Sequence, residues 1–209
     1  MAATFAFPAK LYPIVDNLGD ARWSHLGLAQ GMLEAGVRFL QLRVKGEPSG
    51  RFVEMARAVK QLADGWQAQL IINDRADIAQ LVDAAGVHLG QSDLPPSAAR
   101  RLLGPNKIVG YSTHNLDQAD AAARSGLVDY VGFGPIFPTT SKVNPDPVQG
   151  LEELRAVRRR VQVPIVAIGG VTAATMREVL AAGADAVAMI GELVRAPDLR
   201  AAVQMLMQM

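Results

Sequence analysis

Two aspartates each follow a short apolar segment of the chain, and two such carboxylates could bind a metal ion together. Asp74 comes directly after 69–73, and Asp93 follows 86–89. Neighbouring parallel strands end at the same edge of a sheet, which would bring the two carboxylates together. Mg²⁺ commonly takes one or two carboxylates and completes its shell with water and substrate phosphate oxygens. The alternative is that each aspartate caps the helix that follows it.

Polar side chains alternate along a second apolar segment. Gln41, Arg43 and Lys45 are two residues apart, so on a strand they share one face, and the apolar residues between them face the other way. Two cations on an inward face indicate a bound anion, and beside a metal site they indicate a polyanion, most simply a diphosphate. The alternative is that Arg43 and Lys45 pair with internal carboxylates.

Hydroxyl groups and one further cation follow the next two apolar segments. Ser112 ends the segment 108–112, and the segment 130–135 leads into a long loop that reaches residue 150. A loop of this length in a small domain is usually functional, and this one could close over a bound substrate. Four of its side chains can donate hydrogen bonds: Thr139, Thr140, Ser141 and Lys142.

Glycines after the last two apolar segments predict a second anion site made of backbone groups. Gly170 follows the segment 164–169, and Gly191 follows Ile190 at the end of 186–190. Glycine lets backbone N–H groups approach oxygen atoms closely, and the start of a following helix favours negative charge. Barrels of parallel strands often bind phosphate at these positions.

The elements that position these residues alternate regularly. Short, nearly continuous apolar segments are typical of parallel strands buried on both faces, and stretches of helical period separate them. Eight such units in 209 residues predict an α/β fold, a single (β/α)8 TIM barrel over residues 1–209 with a parallel eight-stranded core. An open doubly wound sheet is the alternative. The predicted strands are 11–15, 39–44, 69–73, 86–89, 108–112, 130–135, 164–169 and 186–190.

Glycines recur where predicted helices run into the next strand. Four glycines occur in similar short sequences that contain small residues: Gly36, Gly86, Gly126 and Gly183. A glycine at such a point can take the left-handed conformation that ends a helix.

Composition excludes several classes of function. The chain has no cysteine, which rules out disulfides, thiolate metal sites and a cysteine nucleophile. A net charge of +1 gives no indication of nucleic-acid binding, and no apolar stretch is long enough to span a membrane. The first residues do not read as a signal peptide. We therefore expect a cytoplasmic protein whose partners are small phosphorylated molecules, with self-association into a homo-oligomer left open.

Six stretches distributed along the chain carry the residues described above. They are 41-QLRVK-45, 72-INDRADIA-79, 86-GVHLGQSDLPP-96, 109-VGYSTHN-115, 132-GFGPIFPTTSK-142 and 165-IVAIGGV-171. In this combination and order they are specific, and over nearly its whole length the chain resembles the thiamine-phosphate synthase family. The resemblance implies a barrel transferase that joins hydroxymethylpyrimidine diphosphate to a thiazole phosphate, releasing pyrophosphate and forming thiamine phosphate.

The resemblance also implies roles for individual residues. One Mg²⁺ per active site would be bound by Asp74 and Asp93. The pyrimidine diphosphate would be bound by Gln41, Arg43, Lys45, Asn73, Ser112 and Lys142. Of these, the catalytic residues would be Arg43, Lys45, Ser112 and Lys142. The thiazole phosphate would be bound by Thr139, Thr140, Ser141, Gly170, Ile190 and Gly191.

Gly191 is one of several departures from the family pattern, and three alternatives to the synthase interpretation remain. Gly191 stands where serine is common, which leaves only backbone donors there and predicts a looser phosphate site. A thiazole tautomerase would need the phosphate site and a proton shuttle such as His114, but not Asp74 and Asp93. A sugar-phosphate isomerase or epimerase would need a pair of bases or a histidine-based metal site, which the sequence does not show. The third alternative is a non-catalytic barrel that binds phosphates of the thiamine pathway. His88 lies inside a predicted strand and is expected to be a core residue.

Overall fold

Eight short apolar segments pair side by side, each parallel to its neighbours, and the first pairs with the last. This computed structural model describes residues 5–141 and 146–209. The predicted (β/α)8 barrel is confirmed, and the open-sheet alternative is wrong. The strands are β1 Leu11–Val15, β2 Phe39–Leu42, β3 Gln69–Asn73, β4 Gly86–Leu89, β5 Ile108–Thr113, β6 Tyr130–Phe133, β7 Ile165–Ala167 and β8 Ala186–Met189.

Helices follow the strands and form the outer layer. Three begin with a side-chain cap: Ser24, Asn115 and Asp198 each accept a hydrogen bond from a backbone N–H of the first turn. The helices are α1 His25–Glu34, α2 Ser49–Gly65, α3 Ala76–Leu81, α4 Pro96–Leu103, α5 Leu116–Arg124, α6 Gly150–Arg160, α7 Met176–Ala181, α8 Gly191–Val194 and α9 Leu199–Met207.

Four strands, β2, β6, β7 and β8, end before the predicted boundary. β6 stops at Phe133, since Gly134 has φ of 154° and leaves the extended conformation. Gly36, Gly126 and Gly183 have positive φ after their helices, as predicted. Gly86 does not take the left-handed conformation: it lies in β4, within its predicted strand, where an added Cβ would stand 2.7 Å from the backbone carbon of Ile108.

Two apolar cores stabilise the barrel. One fills the layer between sheet and helices, and the other fills the barrel itself, with Tyr12, Phe39 and Tyr130 as its largest side chains. Phe5 and Phe7 precede β1 and pack against these rings; the Phe7 and Tyr130 centroids are 5.0 Å apart. Aromatic packing therefore closes the amino end of the barrel, and the polar site lies at the carboxyl end.

Candidate functional site

A cavity of about 970 Å³ opens at the carboxyl ends of the strands. Every predicted site residue that the structure describes lines it: Gln41, Arg43, Lys45, Asn73, Asp74, Asp93, Ser112, Thr139, Thr140, Ser141, Gly170, Ile190 and Gly191. Lys142 lies outside the described residues. The structure thus brings together side chains that are up to 150 positions apart in the sequence (Gln41 to Gly191).

The polar face of β2 has the predicted alternation, and both of its cations have carboxylate partners. Gln41 is buried, and Arg43 and Lys45 follow it toward the cavity. Arg43 forms an ion pair with Asp16, and Lys45 forms one with Asp74. The alternative prediction, that Arg43 and Lys45 pair with carboxylates, is therefore confirmed. Both cations also line the cavity. Asp16 was not predicted as a site residue.

Asp74 and Asp93 face the same space, and neither caps a helix. The residues at the N-cap positions of α3 and α4 are Arg75 and Pro95, without side-chain capping bonds, so the capping interpretation of both aspartates is wrong. Asp93 instead accepts a hydrogen bond from the N–H of Gly90 at 2.7 Å. Asp74 has φ of 65°, a conformation that aspartate tolerates better than most residues, and its N–H donates to the His88 carbonyl at 2.7 Å.

The two carboxyl groups interact unfavourably when both are charged. Burial raises the pKa of Asp93, and the adjacent Asp74 carboxyl raises it further. A divalent cation between the carboxylates would remove this repulsion, so the donor set fits Mg²⁺. Among residues 5–141 and 146–209 no cluster of three or more histidine, aspartate or glutamate side chains that could hold a metal ion occurs.

A chain of buried hydrogen bonds runs through the barrel to Ser112. The Gln41 amide donates to the Tyr12 hydroxyl at 3.0 Å, and the Tyr12 and Tyr130 hydroxyls are 3.0 Å apart. His88 joins the Tyr130 hydroxyl at 3.0 Å to the Ser112 hydroxyl at 2.8 Å. The chain fixes the position of two predicted diphosphate-binding residues, Gln41 and Ser112. His88 is a buried core residue, as predicted.

This chain makes stability depend on pH. Burial lowers the pKa of His88 from 6.5 to about 4. Between those values the unfolded chain binds a proton that the folded protein does not, so stability falls as pH falls through this window. We expect His88 to account for a loss of about 3 kcal/mol from pH 6.5 to 4. Urea unfolding at several pH values would measure it, and His88→Gln should flatten the slope; an unchanged slope would contradict the assignment.

His114 is held between two oxygen atoms at the edge of the cavity. Its Nδ1 donates to the Gly134 carbonyl at 2.6 Å, and its Nε2 lies 3.4 Å from an Asp146 carboxylate oxygen. Because a carbonyl only accepts, the proton is on Nδ1. His114 thereby connects the end of β5 to the loop after β6.

The loop after β6 pairs with the end of β7 and forms the second part of the cavity. The N–H groups of Ile136 and Phe137 donate to the carbonyls of Ile168 and Gly169 at 2.9 and 3.1 Å. Thr139, two residues further on, is thereby placed beside Gly170, whose N–H donates to no described residue. Gly170 and the loop after β6 therefore line one cleft, and its role as an anion site stays a prediction. The helix after β7 begins only at Met176, so Gly170 lies in loop backbone, whereas Gly191 is the first residue of the short helix α8.

Gly170 cannot be replaced without displacing this loop. Its φ is 68°, and an added Cβ would lie 2.5 Å from the Pro138 carbonyl oxygen. We expect Gly170→Ala to lower the free energy of unfolding by about 3 kcal/mol, combining backbone strain with the clash. Gly126→Ala is a matched control, because φ there is 66° and nothing lies within 4 Å. Equal losses in urea unfolding of the two variants would contradict the predicted clash.

The closed barrel and its polar cavity define a class, the (β/α)8 barrels with a small-molecule site at the carboxyl ends of their strands. Comparison with known proteins goes further. The model of the thiamine monophosphate synthase family matches residues 11–193. The chain belongs to this family, and the predicted resemblance is confirmed.

Individual relatives cover almost the whole chain. The thiamine-phosphate synthase of Shouchella clausii (strain KSM-K16) is 43% identical over 201 residues, 96% of this chain and 95% of the relative. That of Moorella thermoacetica is 45% identical over 193 residues, 92% of this chain and 91% of the relative. The solved thiamine phosphate pyrophosphorylase of Pyrococcus furiosus is 36% identical with a TM-score of 0.83, covering 96% and 94% of the two chains.

No helix within the described residues is both long enough and apolar enough to cross a membrane.

Proposed function

We propose that the chain is a Mg²⁺-dependent thiamine-phosphate synthase, a transferase that moves a pyrimidinylmethyl group from diphosphate to a thiazole nitrogen. One observation carries the proposal: two carboxylates and two cations share a single cavity with a separate, backbone-based cleft. The first group suits a metal-bound diphosphate and the second suits a monophosphate. The names of the relatives, thiamine-phosphate synthase and thiamine phosphate pyrophosphorylase, agree with thiamine phosphate as the product.

The diphosphate would bind over β2 to β5. Arg43 and Lys45 would contact its oxygens, while Asn73, Gln41 and Ser112 would bind and orient the pyrimidine end. Lys45 now contacts Asp74, so it would exchange that carboxylate for a diphosphate oxygen when substrate arrives. By the family resemblance Lys142 belongs to the same set.

Asp74 and Asp93 would hold one Mg²⁺ per active site. Bound Mg²⁺ supplies charge stabilisation on the departing pyrophosphate. The chain's own contribution is to keep the two carboxylates close together: the Gly90 N–H orients Asp93, and the left-handed backbone turns Asp74 toward it.

The proposed reaction breaks one bond and forms one. The bond between the methylene carbon and the diphosphate oxygen breaks, and its electron pair leaves with pyrophosphate. The electron-rich aminopyrimidine supports the resulting cation. The lone pair of the thiazole nitrogen then forms the new carbon–nitrogen bond. Arg43, Lys45 and Lys142 would stabilise the leaving charge, and the capture step depends mainly on positioning.

The thiazole phosphate would bind over β6 to β8. Its oxygens would accept hydrogen bonds from the backbone of Gly170, Ile190 and Gly191, with Thr139, Thr140 and Ser141 adding hydroxyl donors. The thiazole ring would then lie between this cleft and the diphosphate. Because a thiazole nitrogen is already nucleophilic, no general base is needed.

A thiazole tautomerase is the second candidate, favoured by one observation. His114 lies in the cavity lining with one nitrogen anchored and the other beside Asp146, an arrangement that suits a proton shuttle. A tautomerase has no use for the paired carboxyl groups of Asp74 and Asp93 or for two cations, and these favour the synthase.

An end-point assay tests the proposal. Purified protein is incubated with the pyrimidine diphosphate, the thiazole phosphate and Mg²⁺, with and without EDTA, and thiamine phosphate is oxidised to fluorescent thiochrome. We expect product only with metal. A folded protein that yields no product would contradict the synthase, and thiazole isomerisation abolished by His114→Asn would establish the tautomerase instead.

The proposal extends to the setting of the enzyme. Residues 1–209 would act as one catalytic domain on small phosphorylated substrates, in the cytoplasm where such charged molecules are retained.

A further inference from the structure

Arg195 occupies the space that a side chain at position 191 would fill. Its backbone N–H donates to the Gly191 carbonyl at 3.1 Å, which places it one turn beyond Gly191. Side chains on a helix lean toward its start, so Arg195 extends back over Gly191. An added Cβ at Gly191 would lie 2.9 Å from the central guanidinium carbon of Arg195 and closer still to one of its nitrogens.

Arg195 differs from the other two fixed cations among the described residues of the cavity wall. Arg43 and Lys45 each pair with a carboxylate. The guanidinium of Arg195 contacts no acceptor within residues 5–141 and 146–209, and the side chain is exposed at the cavity edge. Its charge is therefore available to a ligand.

Apart from Arg43 and Lys45, no other arginine or lysine among the described residues lines the cavity with Arg195. The cleft beside it consists of the backbone at Gly170 and Gly191, and the nearby Glu192 carboxylate accepts a hydrogen bond from the Ala173 N–H at 3.0 Å. A carboxylate opposes anion binding, and a cation at the same edge would offset that repulsion and strengthen phosphate binding in the cleft. Of the described residues, Arg195 is placed to supply it.

We propose that Arg195 binds the phosphate of the thiazole substrate and that Gly191 is the residue that makes room for it. The inference rests on the proposed function and deepens it. A guanidinium can donate two parallel hydrogen bonds to a phosphate group, which a single hydroxyl cannot do. Serine is common at position 191 in the family, and glycine there removes a hydroxyl donor but leaves room for the Arg195 guanidinium. The charged contact from Arg195 would then compensate for the lost hydroxyl, so the phosphate site need not be looser.

Calorimetry with two ligands tests the role of Arg195 without turnover. The phosphorylated thiazole and its unphosphorylated alcohol are titrated into wild type, Arg195→Gln and Arg101→Gln; Arg101 is an exposed arginine on α4, outside the cavity lining. We expect Arg195→Gln to weaken binding of the phosphorylated ligand about tenfold and to leave the alcohol unchanged, the loss of one charge-assisted contact. Arg101→Gln should change neither. Equal affinity of wild type and Arg195→Gln for the phosphorylated thiazole would overturn the proposal.

A double-mutant cycle tests the role of Gly191. Gly191→Ser would displace the guanidinium, so adding Arg195→Gln to it should cost little further affinity. If the two substitutions instead act additively, Gly191 does not make room for Arg195 and that half of the proposal is wrong. Steady-state kinetics of Arg195→Gln should show a matching rise in KM for the thiazole phosphate, with KM for the pyrimidine diphosphate unchanged.

The outcomes separate this inference from the proposed function. Product formation by wild type with an unchanged KM in Arg195→Gln would overturn the inference alone. If wild type forms no product, the calorimetry is repeated with inorganic phosphate as the ligand in place of the phosphorylated thiazole. Weaker phosphate binding by Arg195→Gln than by Arg101→Gln would then still support Arg195 as the phosphate ligand, and equal binding would overturn it.

Discussion

Asp93→Asn is expected to lower kcat/KM for thiamine phosphate formation by about a thousandfold at millimolar Mg²⁺, equal to ~4 kcal/mol of transition-state stabilisation. The amide keeps an oxygen that can accept from the Gly90 N–H, so the local fold is retained. The substitution removes the charge of one of the two carboxylates that would bind the metal. Asp74→Asn should have a similar effect, and steady-state assays across a Mg²⁺ titration would measure both.

The stability of Asp93→Asn shows whether Asp93 serves to bind a metal or to stabilise the fold. Since Asp74 and burial both raise the pKa of Asp93, removing its charge relieves repulsion, and Asp93→Asn should be at least as stable as wild type without Mg²⁺. Asp77→Asn is the control, because Asp77 is an exposed carboxylate paired with Arg75 outside the cavity lining. Retained activity in Asp93→Asn, or an equal loss in Asp77→Asn, would contradict the metal assignment.

Arg43→Gln should affect both activity and folding. Arg43 and Asp16 form a mostly buried ion pair, with side-chain exposures of 18% and 9%. Removal of Arg43 leaves Asp16 charged and without its cation, which costs about 3 kcal/mol of stability. We also expect kcat/KM to fall at least about a hundredfold, because a charge-assisted contact to the departing diphosphate is lost. Urea unfolding and steady-state kinetics of the same preparation would measure the two effects.

The double variant Arg43→Gln with Asp16→Asn separates the two effects. Neutralising Asp16 removes the unpaired charge, so most of the stability should return. Activity should not return, since the contact to diphosphate is still missing. A double variant that recovers activity together with stability would show that Arg43 acts only through folding.

The strand ends illustrate what could be predicted from the sequence. The alternation of Gln41, Arg43 and Lys45 is a local property of one strand, and once a barrel is predicted, the carboxyl ends of all strands must meet. The convergence of Asp74 and Asp93 follows from the same rule. These predictions depend only on side-chain alternation and on parallel strand direction, both of which are visible in the chain.

The partners of these residues could not be predicted, because they depend on register between strands. Val15 pairs with Leu42, which places Asp16 beside Arg43, and nothing local in either segment fixes that pairing. The hydrogen-bond chain through Tyr12, His88 and Tyr130 likewise needs three strands in their folded positions.

Two glycine assignments failed or fell short for a related reason. Gly86 occurs in a short sequence similar to those of three helix-ending glycines. In the structure its missing side chain instead allows Ile108 on the neighbouring strand to approach closely. From the sequence, the only expected effect of Gly191 was the loss of the hydroxyl donor that a serine would supply. That a guanidinium from one turn further along fills the space is visible only once Arg195 and Gly191 are seen together.

The most direct test of the central claim is the stoichiometry of the two products. Pyrophosphate and thiamine phosphate are quantified in one reaction with Mg²⁺, and again with either substrate left out. We predict that both products appear in equal amounts and only when both substrates are present. Thiazole turnover without pyrophosphate, or pyrophosphate without thiamine phosphate, would contradict the account of the cavity as a site that couples two phosphorylated substrates.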